Sequence, residues 1–103
     1  MIRVFLTFLF VSITFAQETG NRMSLLFMGD IMGHVPQIEG AYDIETKQYN
    51  YMPVFDKIKH KFMQVDFAIA NLEVTLAGEP YTGYPQFSSP DALAVACRDS
   101  GID

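Results

Sequence analysis

The sequence predicts an α/β fold built from a parallel βαβα run, and three observations predict it. Residues 24–28 (SLLFM) and 66–71 (DFAIAN) are short apolar stretches that end at polar or glycine residues. Between them, residues 53–64 (PVFDKIKHKFMQ) carry apolar side chains at helical spacing. Each short stretch is too brief for a helix and reads as a strand buried on both faces, the habit of parallel sheets. A strand, a crossover containing a helix and a second strand form a βαβ unit, which is almost always right-handed and parallel.

The elements follow in order. After the first strand come Gly29 and Asp30; Gly33, Pro36 and Gly40 then break regularity, so residues 31–50 read as a long loop with a helical turn near Gln37. Pro53 opens the helix, since proline is tolerated in a first turn. Val54, Ile58 and Phe62, with Phe55 beside them, make its apolar face, while Lys57, Lys59, His60 and Lys61 take the wetter side. Residues 77–90 are rich in Gly, Pro, Tyr and Ser and form a long loop, a length that points to function. Ser89 is placed to cap a last helix, with Pro90 in its first turn and Gly101 as its stop. Ile102 and Asp103 begin a third strand, and the chain is expected to be truncated there.

The front end has a different character. Residues 1–16 (MIRVFLTFLFVSITFA) hold one early charge, Arg3, then an apolar run ending in Thr14-Phe15-Ala16. That is the layout of a cleaved secretory signal peptide, followed by a linker at 17–23 and a domain from 24 to 103. The run falls short of the ~20 residues a membrane span needs, which favours the signal peptide over the alternative reading, an uncleaved anchor. No cysteine stands near the cleavage point to carry a lipid.

The 103 residues carry a formal charge of −5, and losing Arg3 makes the remainder more acidic. With no basic stripe, nucleic acid is excluded as a partner. Cys97 is the single cysteine, so the fold is not a disulfide scaffold. Its neighbours Leu93, Ala94, Val95 and Ala96 place it on an apolar helix face as a buried side chain.

The chemistry is expected beyond the carboxyl ends of the strands, where parallel sheets bind their ligands. Asp30 follows the first strand; Asn71 and Glu73 follow the second, two residues apart, so extended backbone points both the same way. Parallel pairing brings the three together. Two carboxylates and an amide oxygen are hard donors suited to a divalent metal, and His34 adds an imidazole four residues after Asp30. Each has a plainer alternative: Asp30 a turn organiser, Asn71 a strand-end cap, Glu73 a solvated acid, His34 a group facing substrate. Tyr81, Tyr84 and Phe87 line a pocket or simply pack over the sheet. His60, among lysines, belongs to the surface.

Met28-Gly29-Asp30-Ile31-Met32-Gly33-His34 resembles the opening GD motif of the bacterial capsule-synthesis (CapA, poly-γ-glutamate synthesis) family of calcineurin-like metallophosphoesterases. Residues 66–73, an aspartate and an apolar strand followed by Asn71-Leu72-Glu73, are similar to that family's second signature. Residues 84–90 and 100–103 look like the stretch leading to its third motif, so the resemblance spans about residues 24–103.

The resemblance implies the N-terminal βαβα portion of a calcineurin-like αββα sandwich, with Asp30, Asn71 and Glu73 as metal ligands and His34 as a catalytic group. It implies a divalent metal (Mn, Zn or Fe), dinuclear in the full-length protein, and a hydrolase acting on an anionic polymer or cell-envelope substrate at a membrane-associated capsule complex. Met32 stands where the wider superfamily has a histidine, which favours a non-catalytic polymer-binding or assembly subunit as the alternative. The family's Asn-Asn-His motif and later histidines belong after Asp103, so this fragment is expected to be inactive alone. Two strands and two helices bury little core, and it is expected not to fold stably by itself.

Overall fold

The computed structural model describes residues 20–103, so the expected signal segment at 1–16 and the start of the linker at 17–23 lie outside the described residues. In chain order the elements are β1 (Leu25–Ile31), α1 (Val35–Ala41), β2 (Tyr42–Asp43), β3 (Gln48–Tyr49), α2 (Met52–Phe55), α3 (Lys59–Phe62), β4 (Phe67–Leu72) and α4 (Ala92–Asp99). The mixed α/β class is as the sequence predicts. No helix among the described residues is long and apolar enough to cross a membrane.

β1 and β4 pair in parallel, with Leu25 beside Phe67 and Phe27 beside Ile69. Ser24 and Asp66 clasp the start of the pair: the backbone N–H and hydroxyl of Ser24 donate to Asp66 Oδ2 at 2.6 and 2.8 Å, and Asp66 N–H donates to Ser24 Oγ at 3.0 Å. The core lies on one side of this ribbon. Leu26, Met28 and buried Ala68 meet Tyr51, Phe55, Phe62, Leu93, Ala96 and Cys97. Burying a side chain such as Leu93 is worth about 1.5–3 kcal/mol.

Burial on both faces, expected from the continuous apolar runs, is not what the described residues show. Leu25, Phe27, Phe67 and Ile69 remain exposed, Phe27 at 69%. Alternation along a strand sends every second side chain to the opposite face, and the helices among the described residues cover only the other.

The crossover helix is also corrected. Residues 52–62 form two short turns, α2 and α3, not one helix. Ile58 N–H bonds to Phe55 O and Lys61 N–H to Ile58 O, i to i+3 bonds that wind the chain more tightly than an α-helix. This winding brings the Phe55 and Phe62 rings together at 6.5 Å in the core and leaves Val54 and Ile58 in solvent. Lys59 pairs with Asp56 at 2.8 Å on the outside.

The stretch read as loop at 31–50 holds more order than expected. Gln37 Oε1 accepts the His34 backbone N–H at 2.7 Å and fastens the first turn of α1. Asp43 Oδ1 accepts the N–H groups of Glu45 and Thr46, turning the chain between β2 and β3. Those same backbone N–H groups hold the Asp43 carboxyl below its ordinary pKa.

Ser89 does not cap α4. The N-cap is Asp91, without a side-chain cap bond, and Ser89 is fully buried. A Cβ on Gly33 would come within 2.2 Å of Ser89 Oγ, so the serine side chain packs against Gly33 instead. The helix stop is as expected. Gly101 has φ +98°, and the N–H groups of Gly101 and Ile102 return to the carbonyls of Arg98 and Cys97. Asp103 then lies along the edge of β4 away from β1: its N–H donates to Ala68 O at 2.8 Å, and its carboxylate accepts Ala68 N–H at 2.9 Å.

Candidate metal centre

The register of the two strands places the site. Phe27 pairs with Ile69, yet the next partners are Asp30 and Asn71, so β1 spends one extra residue in a bulge. Continued without it, the pairing would set Gly29 beside Asn71. The bulge brings Asp30 there, and Ile31 O accepts Glu73 N–H at 3.1 Å just beyond.

The side chains complete the cluster. Asn71 Nδ2 donates to Asp30 Oδ1 at 2.9 Å and also to Glu73 Oε2. All three residues are exposed. One amide nitrogen thus sits between two carboxylates, a point where negative charge gathers from both sides and a positive group is favoured. Turning the Asn71 amide over would set Oδ1 there, giving three hard oxygens about one point, the donor chemistry of a divalent ion. Nothing in that donor set conflicts with the divalent metal expected from the sequence. No group of three or more His, Cys, Asp or Glu residues gathers among the described residues.

His34 occupies a different place. It is the N-cap of α1, exposed, with its ring edge-on to Phe87 at 5.1 Å. None of the side-chain hydrogen bonds among the described residues joins its imidazole to Asp30, Asn71 or Glu73. The loop at 77–90 positions Phe87 through backbone bonds from Thr75 N–H to Phe87 O and from Phe87 N–H to Gly83 O, both 2.8 Å. Tyr84 packs edge-on to Phe87 at 6.0 Å, and Tyr81 to Tyr49 at 5.2 Å.

Sequence reasoning missed a cavity of about 480 Å³ that Asp30 and Met32 share with Gln37, Asn50, Tyr51 and Phe55. Apart from Asp30, its polar members are Gln37 and Asn50 from the stretch read as loop and Tyr51 just after it, where nothing in composition separates them from ordinary surface residues.

With this geometry in view, comparison with known proteins is specific: the family model described as bacterial capsule synthesis protein PGA_cap matches residues 24–103. The chain belongs to that family. The match spans both strand tips and the loop that carries Phe87, so every residue of the cluster lies within the part shared with capsule synthesis proteins. No curated protein and no solved structure matches the chain.

Proposed function

We propose that this member of the capsule synthesis family is an exported, metal-dependent hydrolase of the cell envelope when its full ligand set is present. The observation that carries the reading is the Asn71 amide nitrogen held between the Asp30 and Glu73 carboxylates. On this reading the fold is the first part of a calcineurin-like sandwich, working with an anionic polymer or envelope peptide at a membrane-associated capsule complex. Asp30 and Glu73 bring the negative charge that holds a Mn, Zn or Fe ion, and Asn71 turns its oxygen inward. A bound divalent ion would supply Lewis-acid activation of water and neutralise the charge that builds on a carbonyl or phosphoryl oxygen as its carbon or phosphorus is attacked. His34, beyond the ligand cluster at the start of α1, offers an imidazole for proton transfer to the leaving group.

Metal binding tests the reading. Calorimetric titration of metal-free protein with Mn²⁺ is expected to show one saturable site, abolished in Asp30→Ala/Glu73→Ala. Equal binding by both proteins would refute it.

A second reading, a non-catalytic assembly or polymer-binding subunit, is favoured by Met32, which shares the cavity with Asp30. Its thioether is a soft donor unsuited to a hard ion. Normal capsule formation in cells carrying the double substitution supports this reading over the hydrolase.

A further inference from the structure

A second cavity, of about 290 Å³, lies between α1, β3 and the loop at 77–90, and it shares no residue with the cluster of Asp30, Asn71 and Glu73. Three kinds of wall meet there. Val35 and Ile38, three residues apart on α1, and Pro80 from the loop are apolar. Tyr49 and Tyr81 bring two aromatic rings, 5.2 Å apart and at 84° to each other. Glu39 and Glu79, one from the helix and one from the loop, bring two carboxylates.

The rings are held from behind. Tyr42 stands opposite Tyr49 across the β2–β3 pair and packs on it at 5.1 Å. Rings that meet near a right angle make a corner, and their faces carry the negative part of the aromatic quadrupole. Partial burial raises the Tyr49 phenol above its ordinary pKa, and the neighbouring Tyr81, Glu79 and Tyr42 raise it further. Neighbours that oppose a phenolate in this second way favour a cation. Tyr51 joins the group from the buried side. It is 3% exposed, its electrostatic neighbours are Tyr49 and Tyr81, and its hydroxyl has no hydrogen-bond partner.

No cation answers this arrangement among the described residues. No lysine, arginine or histidine lines the cavity, and the ion pairs Lys59–Asp56 and Arg98–Asp99 use neither glutamate. The lining disfavours other ligand classes in turn. An anion meets two like charges. A wholly apolar group strips water from the carboxylates and gives nothing back. A hard ion such as Ca²⁺ takes about six or more oxygens, and two carboxylates beside aromatic and aliphatic walls fall short of that. An alkylammonium ion suits all three walls: its N–H groups meet the glutamates, its charge meets the ring faces and its methylene stem lies along the apolar side.

We infer that this cavity recognises a primary alkylammonium group, with Glu39 and Glu79 holding the head, Tyr49 and Tyr81 forming the corner around it, and Val35, Ile38 and Pro80 taking the stem. The site goes beyond the reading of the metal centre and stands whether or not that centre is catalytic.

The protein is titrated with n-butylammonium chloride at constant ionic strength while the tyrosine ring signals are followed in ¹H–¹³C spectra. Tyr49 and Tyr81 are expected to shift saturably. Sodium butyrate is expected to leave them in place, and 1-butanol to move them weakly. Glu79→Gln keeps the shape, removes one charge and should weaken butylammonium binding by up to about fivefold, the range of an exposed ion pair. Tyr81→Leu keeps an apolar wall without the ring and should weaken it about two- to fivefold. Asp30→Ala/Glu73→Ala should bind as the parent protein does. Glu79 is exposed, so its substitution carries the test even where Tyr81→Leu disturbs the loop. No saturable shift, an equal response to butanol or butyrate, or full-strength binding in both Glu79→Gln and Tyr81→Leu overturns the inference. Loss of binding in Asp30→Ala/Glu73→Ala would put the ammonium at the strand tips and overturn it as well.

Discussion

Asn71 donates to Asp30 across the parallel strand pair at 2.9 Å, although 41 residues separate the two in the chain. The same nitrogen serves Glu73, so a single neutral amide screens two carboxylates from each other. Asn71→Leu removes both hydrogen bonds and leaves the acids facing one another. We expect a loss of about 1 kcal/mol, limited by the exposure of the site. Added salt should recover part of it by screening the repulsion. Thermal unfolding at low and high ionic strength checks this; an unchanged Tm at low salt counts against the bridge.

Gly29 and Gly33 look equivalent in the sequence, one on each side of Asp30, and the structure separates them. A Cβ on Gly29 meets nothing within 4 Å, even beside the bulge, whereas one on Gly33 runs into buried Ser89. Gly29→Ala is expected to change stability by less than about 0.5 kcal/mol. Gly33→Ala should cost about 1–3 kcal/mol, the usual range for overpacking. Denaturant midpoints for the pair give the comparison, and similar values would contradict the packing described here.

That contrast shows where the sequence was legible. The strands could be read because each apolar run stops abruptly, at Gly29 and at Asn71, and the parallel βαβ rule then sets their tips together. The extra residue in β1 went unread, because Gly29 reads as the end of the strand although a glycine within a strand often marks a bulge. Yet it decides that Asp30 and not Gly29 stands beside Asn71. The broken crossover was hidden for a related reason. Val54, Ile58 and Phe62 fit a helix stripe well, and only packing shows that Phe55 and Phe62 are the pair that the core accepts. The orphaned Tyr51 hydroxyl was beyond any pattern, because a missing partner is visible only when all the neighbours are placed.

Acid should loosen the strand pair at its starting end. Backbone and side-chain hydrogen bonds from Ser24 hold the Asp66 carboxyl below the ordinary aspartate range. The unfolded chain therefore takes up the proton first. The contribution is fully present above the unfolded value of about 3.9 and is lost as pH falls through the lower folded value. Asp66→Asn is expected to lower Tm near pH 6 and to narrow its difference from the parent protein below about pH 4. Parallel melting curves from pH 6 to pH 3 test this, and a constant gap across that span rules the clasp out as its source.

Cys97 offers a direct measure of how firmly the core is held. The thiol is buried beside Leu93 and Ala96, and burial raises its pKa, so little thiolate exists near neutrality. Attack by a disulfide reagent must then wait for the helix to open, and its rate reports the fraction of time spent open. We expect labelling at pH 7.5 to be at least about tenfold slower than in denaturant, a modest factor. The reason for modesty is the uncovered ribbon face: Leu25, Phe27, Phe67 and Ile69 gain little from folding while they stay in water. Gly101→Ala provides the control. It forces a side chain into a φ of +98° at the helix stop, and labelling should accelerate as α4 frays. Equal rates for folded and denatured protein would mean that α4 does not hold its place on the sheet.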